Sequence, residues 1–223
     1  MEKYLKDISD GKLYSSNDMV KVGCHDCKGC SACCCDMGES ILLDPMDVWR
    51  LERNLGQSFE QLLAGAIDLH VEDGLILPNL KMAPSATGPK CSFLNEEGRC
   101  SVHPFRPGFC RLFPLGRLYE NGSFQYFLQT HECKKENRTK VKVRKWIDIP
   151  DFGKYEKFVS DWHYFAKEMG QKIKSLGSEG QDKSKALCLY VLKKFYMEPF
   201  DASVDFYEQF NKRLEEAKHA AAA

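Results

Sequence analysis

Six cysteines fall within residues 24–35, at Cys24, Cys27, Cys30, Cys33, Cys34 and Cys35. Thiols this closely spaced are expected to hold metal rather than bridge one another. A disulfide needs its Cα atoms about 5–6 Å apart with converging side chains, and neighbours in sequence rarely allow that without strain. Successive C-x2-C steps do the opposite, placing sulfurs on one side of a tight loop around a common centre. Four further cysteines, Cys91, Cys100, Cys110 and Cys133, follow in a strand-and-turn region, where closing hairpins is expected to bring turns and strand ends to the loop. Cys188 lies far downstream on the apolar face of a helix and reads as a buried structural thiol.

Three arginines, Arg106, Arg111 and Arg117, cluster around Cys110. A guanidinium beside a thiolate offsets negative charge and donates N–H to sulfur, which is the cofactor-facing role expected of Arg106 and Arg111. Solvated arginines, or arginines paired with carboxylates, are the plainer alternative. Pro107 and Pro114 are expected to stiffen the loop. His131, two residues before Cys133, is the histidine worth testing as a ligand.

Three ordered motifs carry a family resemblance: Cys27-x2-Cys30-x2-Cys33-Cys34, then Cys91-Ser-Phe-Leu with Arg99-Cys100-Ser-Val, then Arg106-Pro-Gly-Phe-Cys110-Arg111-Leu-Phe-Pro114. Together they resemble the YkgJ-type CxxCxxCC cysteine-cluster family, whose members are described as zinc- or iron-chelating, and the similar domain of flagellin lysine N-methylases. The resemblance runs from about Cys24 to Trp146. It implies Cys27, Cys30, Cys33, Cys34, Cys91, Cys100 and Cys110 as ligands, with Cys133 a looser match. Cys24 and Cys35 are extra to the pattern, and His103 stands where the family more often has an aromatic residue. Eight thiolates suffice for two four-coordinate sites, or for one cluster with spare thiols. Adjacent Cys33 and Cys34 cannot easily aim at one atom, so they form a natural junction between two sites or two irons.

Three cysteines in C-x2-C-x2-C spacing with a remote fourth point first to an iron–sulfur cluster of the [4Fe–4S] type, one or two per chain. Zinc is the alternative, although structural zinc prefers two separated knuckles. The first functional reading is therefore an iron–sulfur protein in electron transfer, or the cluster-bearing part of a methylase-like modifying system, working with a protein redox partner or protein substrate. The second is a zinc-organised binding module; the third is metal storage or delivery. There is no radical-SAM C-x3-C-x2-C, no G-x-G-x-x-G, P-loop, G-x-S-x-G or H-E-x-x-H. Whether the chain is an enzyme stays open.

The chain has 223 residues, 43% of them hydrophobic, enough for a real core. Lys+Arg 32 against Asp+Glu 32 gives no global pull toward nucleic acid or an anionic membrane. No apolar run reaches the roughly 20 residues of a membrane span, and the first residues lack the apolar stretch of a signal peptide. With eleven cysteines and no export signal, the expected compartment is a reducing cytoplasm.

The elements that must position the thiols read as α+β: a cysteine-rich, metal-organised domain of short hairpins and helices at residues 1–150, with a helical extension at 151–223. Residues 1–23 are polar and are expected to wrap the surface. Asp44-Pro45 opens a helix that stops at Gly56, and Ser58 with Gln61 forms a capping box for the next. Asp73-Gly74 and Asn121-Gly122 mark hairpins, and Cys91–Val102 another turn-linked pair. Val141, Val143 and Trp146 read as an exposed strand; the seven basic residues of 134–145 suit a lysine-protected edge, or a grip on phosphate or a partner. Tyr155 to Ile173, Ala186 to Met197 and Val204 to Lys218 have helical spacing, with Trp162 and Phe165 in the core. Ala220–Ala223 read as a disordered tail or expression remnant.

Overall fold

The computed structural model describes residues 5, 7–25, 27–177 and 180–222. In chain order the elements begin with strands β1 (Ser9–Tyr14) and β2 (Met19–Gly23), a 3-10 turn at Ala32–Cys34, helices α1 (Pro45–Leu55) and α2 (Phe59–Gly65), and strands β3 (Ile67–Glu72), β4 (Leu75–Leu80), β5 (Met82–Ala83) and β6 (Lys90–Cys91). A second 3-10 turn at His103–Phe105 leads into α3 (Gly108–Leu112), then β7 (Leu115–Glu120), β8 (Ser123–Gln129), β9 (Thr139–Lys142) and α4 (Val143–Ile147). Helices α5 (Phe152–Ser175), α6 (Gln181–Leu192), a π turn at Lys193–Met197, and α7 (Phe206–Ala222) complete the chain. The architecture is α+β with a helical C-terminal region, as the patterning implies.

Two compact units interleave along the sequence: Met1–Gly38 with Met82–Ser160, and Glu39–Lys81 with Asp161–Ala223. In the first unit, β7 and β8 pair across Asn121-Gly122, with Tyr119 opposite Phe124, and β1 adds to the far side of β8. Asn121 and Gly122 both have positive φ, 50° and 75°, the conformation a tight hairpin turn demands and the reason Asn-Gly signals one. A separate ribbon joins β2 to β9, and a short one joins β5 to β6. The core includes Val20, Val22, Phe93, Val102, Leu115, Tyr126, Val143, Ile147 and Phe158, each 9% exposed or less.

The second unit is built on local signals that are plain in the sequence. Asp44 and Asp47 exchange side-chain and backbone bonds as a capping box at the start of α1, and Ser58 with Gln61 does the same for α2. Strands β3 and β4 close across Asp73-Gly74. Trp162, Phe165, Phe195 and Phe210 form an aromatic cluster with centroids 5.0 Å apart for Trp162–Phe195 and 5.9 Å for Phe195–Phe210. Tyr196 donates its hydroxyl to the Leu43 carbonyl at 2.9 Å. Cys188 is buried and directs its thiol to the Gly74 carbonyl at 3.1 Å, a structural placement.

Several expectations are corrected. Residues 9–14 and 19–23 are paired strands rather than a surface wrap, because β8 and β9 supply their hydrogen-bond partners. The strand expected through Val143 and Trp146 ends at Lys142; Val143 and Ile147, four apart and both fully buried, make one face of α4 instead. Cys91–Val102 does close as a turn-linked pair, through the Leu94–Cys100 bridge, with Asn95 N–H donating to the Arg99 carbonyl at 2.9 Å and Ser101 N–H to the Phe93 carbonyl at 2.8 Å. The C-terminal alanines continue α7 to Ala222, with Ala221 buried. No helix among the described residues is long and apolar enough to cross a membrane.

Candidate metal centre

Beyond the 3-10 turn at Ala32–Cys34, the cysteine run is held by its neighbours in the first unit. At its start, Val20, Lys21 and Gly23 of β2 pair with Val141, Lys140 and Thr139, so Cys24 leaves a fixed strand end. Tight turns then fold the run on itself: Cys30 N–H donates to the Cys27 carbonyl at 3.0 Å, and Cys34 N–H to Ser31 at 2.8 Å. At the far end Cys35 bridges to Lys90, and Asp36 N–H donates to the Pro89 carbonyl at 3.0 Å. That pairing delivers Cys91, the last residue of β6, to the run. From the other side, Lys135 Nζ donates to the Lys28 carbonyl at 3.0 Å and draws the Cys133 loop over it.

The result is two groups of thiols that meet at Cys33 and Cys34. Cys24, Cys27, Cys30, Cys33 and Cys133 line a small cleft, walled by Phe113, Pro114 and Trp146 and edged by Glu132, Lys134 and Lys135. Its volume, about 20 Å³, admits one water-sized occupant. Trp146 is fixed there by its indole N–H, which donates to the Phe113 carbonyl at 3.1 Å. Within the cleft Cys24 Sγ and Cys27 Sγ stand 3.4 Å apart. The second group gathers around Cys34, which hydrogen-bonds Cys33 and feels the charges of Cys100 and Cys91; Cys91 in turn feels Cys100, Cys33 and Cys35.

Electrostatics separate the members. Burial pushes the Cys27 thiol up to about 12, reinforced by its contact with Cys24. Cys33 is brought down to about 7, first by the hydrogen bond it shares with Cys34, against the cost of burial; the same bond and burial drive Cys34 well up. Burial also raises Cys91 and Cys100, with the Phe93 and Val102 amides opposing. All eleven cysteines are free thiols.

The three arginines do different work. Arg106 carries positive charge toward Cys27, Cys33 and Cys100 and lies 2.7 Å from His103 Nε2, donating also to the His103 carbonyl at 3.1 Å. Arg111, 4% exposed, donates to the carbonyls of Arg106 at 3.1 Å, Ile147 at 3.3 Å, Asp148 at 3.2 Å and Pro104. Arg117 donates to the Tyr155 hydroxyl at 3.0 Å, with the Phe124 and Tyr126 rings also against its guanidinium. Cys110 sits within α3 rather than at a strand end, and Cys35 directs its thiol to the Ser31 carbonyl at 3.5 Å. His131 occupies an exposed turn with φ 72°.

Thiols gathered in partly buried clefts fit a soft or borderline metal such as zinc or iron. As they stand, no three His, Cys, Asp or Glu side chains among the described residues are close enough to hold an ion together. The cleft walls Phe113 and Trp146 escaped the sequence reading because Trp146 patterned as a strand residue, and no local signal pairs it with Phe113. The CxxCxxCC family model, described as a "putative zinc- or iron-chelating domain", matches residues 26–139. No curated protein and no solved structure matches the chain.

Proposed function

The chain belongs to the CxxCxxCC family, and from that premise we propose that its first unit binds metal through two neighbouring thiolate centres joined at Cys33–Cys34. The observation that carries this reading is the pair of thiol groups on either side of that junction, one lining a cleft and the other built on Cys34, Cys91 and Cys100. A single divalent ion of the zinc type is the occupant proposed for the cleft, which has room for a water-sized body. A bound ion of this kind supplies folding free energy, and the thiols supply deprotonated sulfur to receive it.

Within that scheme the residues have distinct roles. Arg106 offsets the charge that collects as thiols near Cys33 ionise, and Arg111 fixes the loop and turn between Pro104 and α3. Trp146 and Phe113 shield the cleft, and a reducing compartment keeps the thiols available. An iron–sulfur centre is the second reading, favoured by the C-x2-C-x2-C spacing of Cys27, Cys30 and Cys33. Electron transfer, or service in a protein-modifying system, would follow from that reading and not from the first.

The test is metal and acid-labile sulfide analysis of protein purified without oxygen, on wild type, Cys30→Ser and Cys91→Ser. Two colourless equivalents of zinc, each variant losing one, are expected. Brown protein with stoichiometric sulfide selects the iron–sulfur reading. Loss of both equivalents in either variant argues against two separable centres.

A further inference from the structure

We infer that Cys24, which lies outside the family-matched residues 26–139, is a metal ligand of this chain's own, sharing one ion with Cys27. The inference rests on the metal–thiolate reading above and assigns its first centre. The separation of the two sulfurs, 3.4 Å, is the leading observation. Two thiolates on one tetrahedral ion with bonds of about 2.3 Å stand about 3.8 Å apart, so the pair needs to open by only a few tenths of an ångström. Cysteines of a cubane cluster each bind a different iron and lie much farther apart. A disulfide would need about 2.05 Å, so the pair is unbonded.

Position supports the same assignment. Cys24 is 6% exposed and follows directly on Gly23, whose backbone is paired to Thr139 so closely that a Cβ there would run into the Thr139 hydroxyl. The residue therefore enters the cleft from a fixed strand end, unlike the later thiols of the run. Cys30 and Cys133 line the same cleft and complete a four-thiolate set with Cys24 and Cys27. Those two must move inward, since no three donors among the described residues are yet close enough to hold an ion, and metal binding is coupled to folding. With Cys24 counted in, the first centre has four sulfurs without drawing on Cys33, which lines the cleft and stays at the junction, hydrogen-bonded to Cys34.

The experiment loads full-length wild type, Cys24→Ser, Cys24→His, Cys27→Ser and Cys91→Ser with zinc, and with cobalt(II) as a spectroscopic stand-in, under a competing chelator. Groups that merely orient a metal ligand are worth 10–100-fold in affinity, so losing a ligand should exceed about 100-fold at one centre. Cys24→Ser is expected to match Cys27→Ser, keeping the second centre and weakening the sulfur-to-cobalt band. Cys24→His, which can still ligate, is expected to recover part of the affinity, separating ligation from misfolding. Wild-type affinity at both centres in Cys24→Ser, with loss in Cys27→Ser, overturns the inference and leaves the metal–thiolate reading intact. A Cys24–Cys27 disulfide, found by alkylation and mass analysis of protein kept anaerobic, also overturns it. A wild type that takes up no metal overturns the reading on which it rests.

Discussion

Replacing Arg111 by lysine separates a structural arginine from one that serves the thiols. Arg111 is 4% exposed and its guanidinium reaches four carbonyls: Arg106 from Nε, Ile147 and Asp148 from Nη1, and Pro104 from Nη2. These tie the turn at His103–Phe105 and the start of α3 to the end of α4, which carries Trp146. A lysine ammonium keeps the charge but lacks the planar fork, and from one point it can satisfy one or two of those acceptors. At least two bonds are lost, each worth about 1.5–3 kcal/mol when the donor is charged, and the freed carbonyls remain partly buried. The expected cost is about 3–5 kcal/mol, a large share of a stability that lies near 5–15 kcal/mol for most domains. With a urea dependence of about 2 kcal/mol/M, the midpoint should fall by about 2 M. Urea unfolding followed by Trp fluorescence, with and without metal, gives the measurement. A similar drop in both conditions, with metal stoichiometry unchanged, is the expected result. A shift under about 0.5 M, or a loss confined to the metal-loaded form, would refute the claim that Arg111 acts through backbone carbonyls.

Two further outcomes follow from the second unit. Cys188→Ala removes the thiol donor to the Gly74 carbonyl and should cost about 1–2 kcal/mol while leaving metal content untouched; metal analysis that finds a loss would contradict the reading of Cys188 as a structural thiol of the second unit. Burial pushes the Glu52 carboxyl up to about 7, with the Phe59 amide and Arg213 opposing. The unfolded chain gives up that proton nearer 4.5, so the contribution is harmless below that pH, grows unfavourable as pH rises toward 7, and is fully unfavourable above it. Glu52→Gln should therefore gain about 1 kcal/mol relative to wild type between pH 4.5 and pH 8, discounted because the side chain is half-exposed. Urea midpoints at the two pH values check this, and an unchanged difference between variant and wild type would contradict it.

What could be read from the sequence was local. Asp44 with Asp47, Ser58 with Gln61, and Asn121-Gly122 each complete their hydrogen bonds within a few residues, so residue type and spacing are sufficient. Strands β1 and β2 escaped because their partners lie more than a hundred residues away, and Ser9–Tyr14 shows little alternation of its own. The α4 turn patterned as a strand because Val141 and Val143 alternate, whereas the buried pair is Val143 with Ile147. The alanines at the C-terminus read as a tail on composition, yet alanine is the strongest helix former and α7 runs on to Ala222. At the site, thiol number and spacing pointed to metal directly. Their division into two groups did not show, because it depends on the Cys35–Lys90 bridge, on Lys135 reaching the Lys28 carbonyl, and on the walls that Phe113 and Trp146 provide.

Native mass spectrometry of the anaerobically purified chain, before and after chelation, bears most directly on whether thiols distant in sequence are joined by metal. The expected spectrum is the chain plus two ions of zinc mass, with chelation releasing both and yielding eleven alkylatable thiols. A chain of bare mass, or one lighter by the hydrogens of paired disulfides, would contradict it.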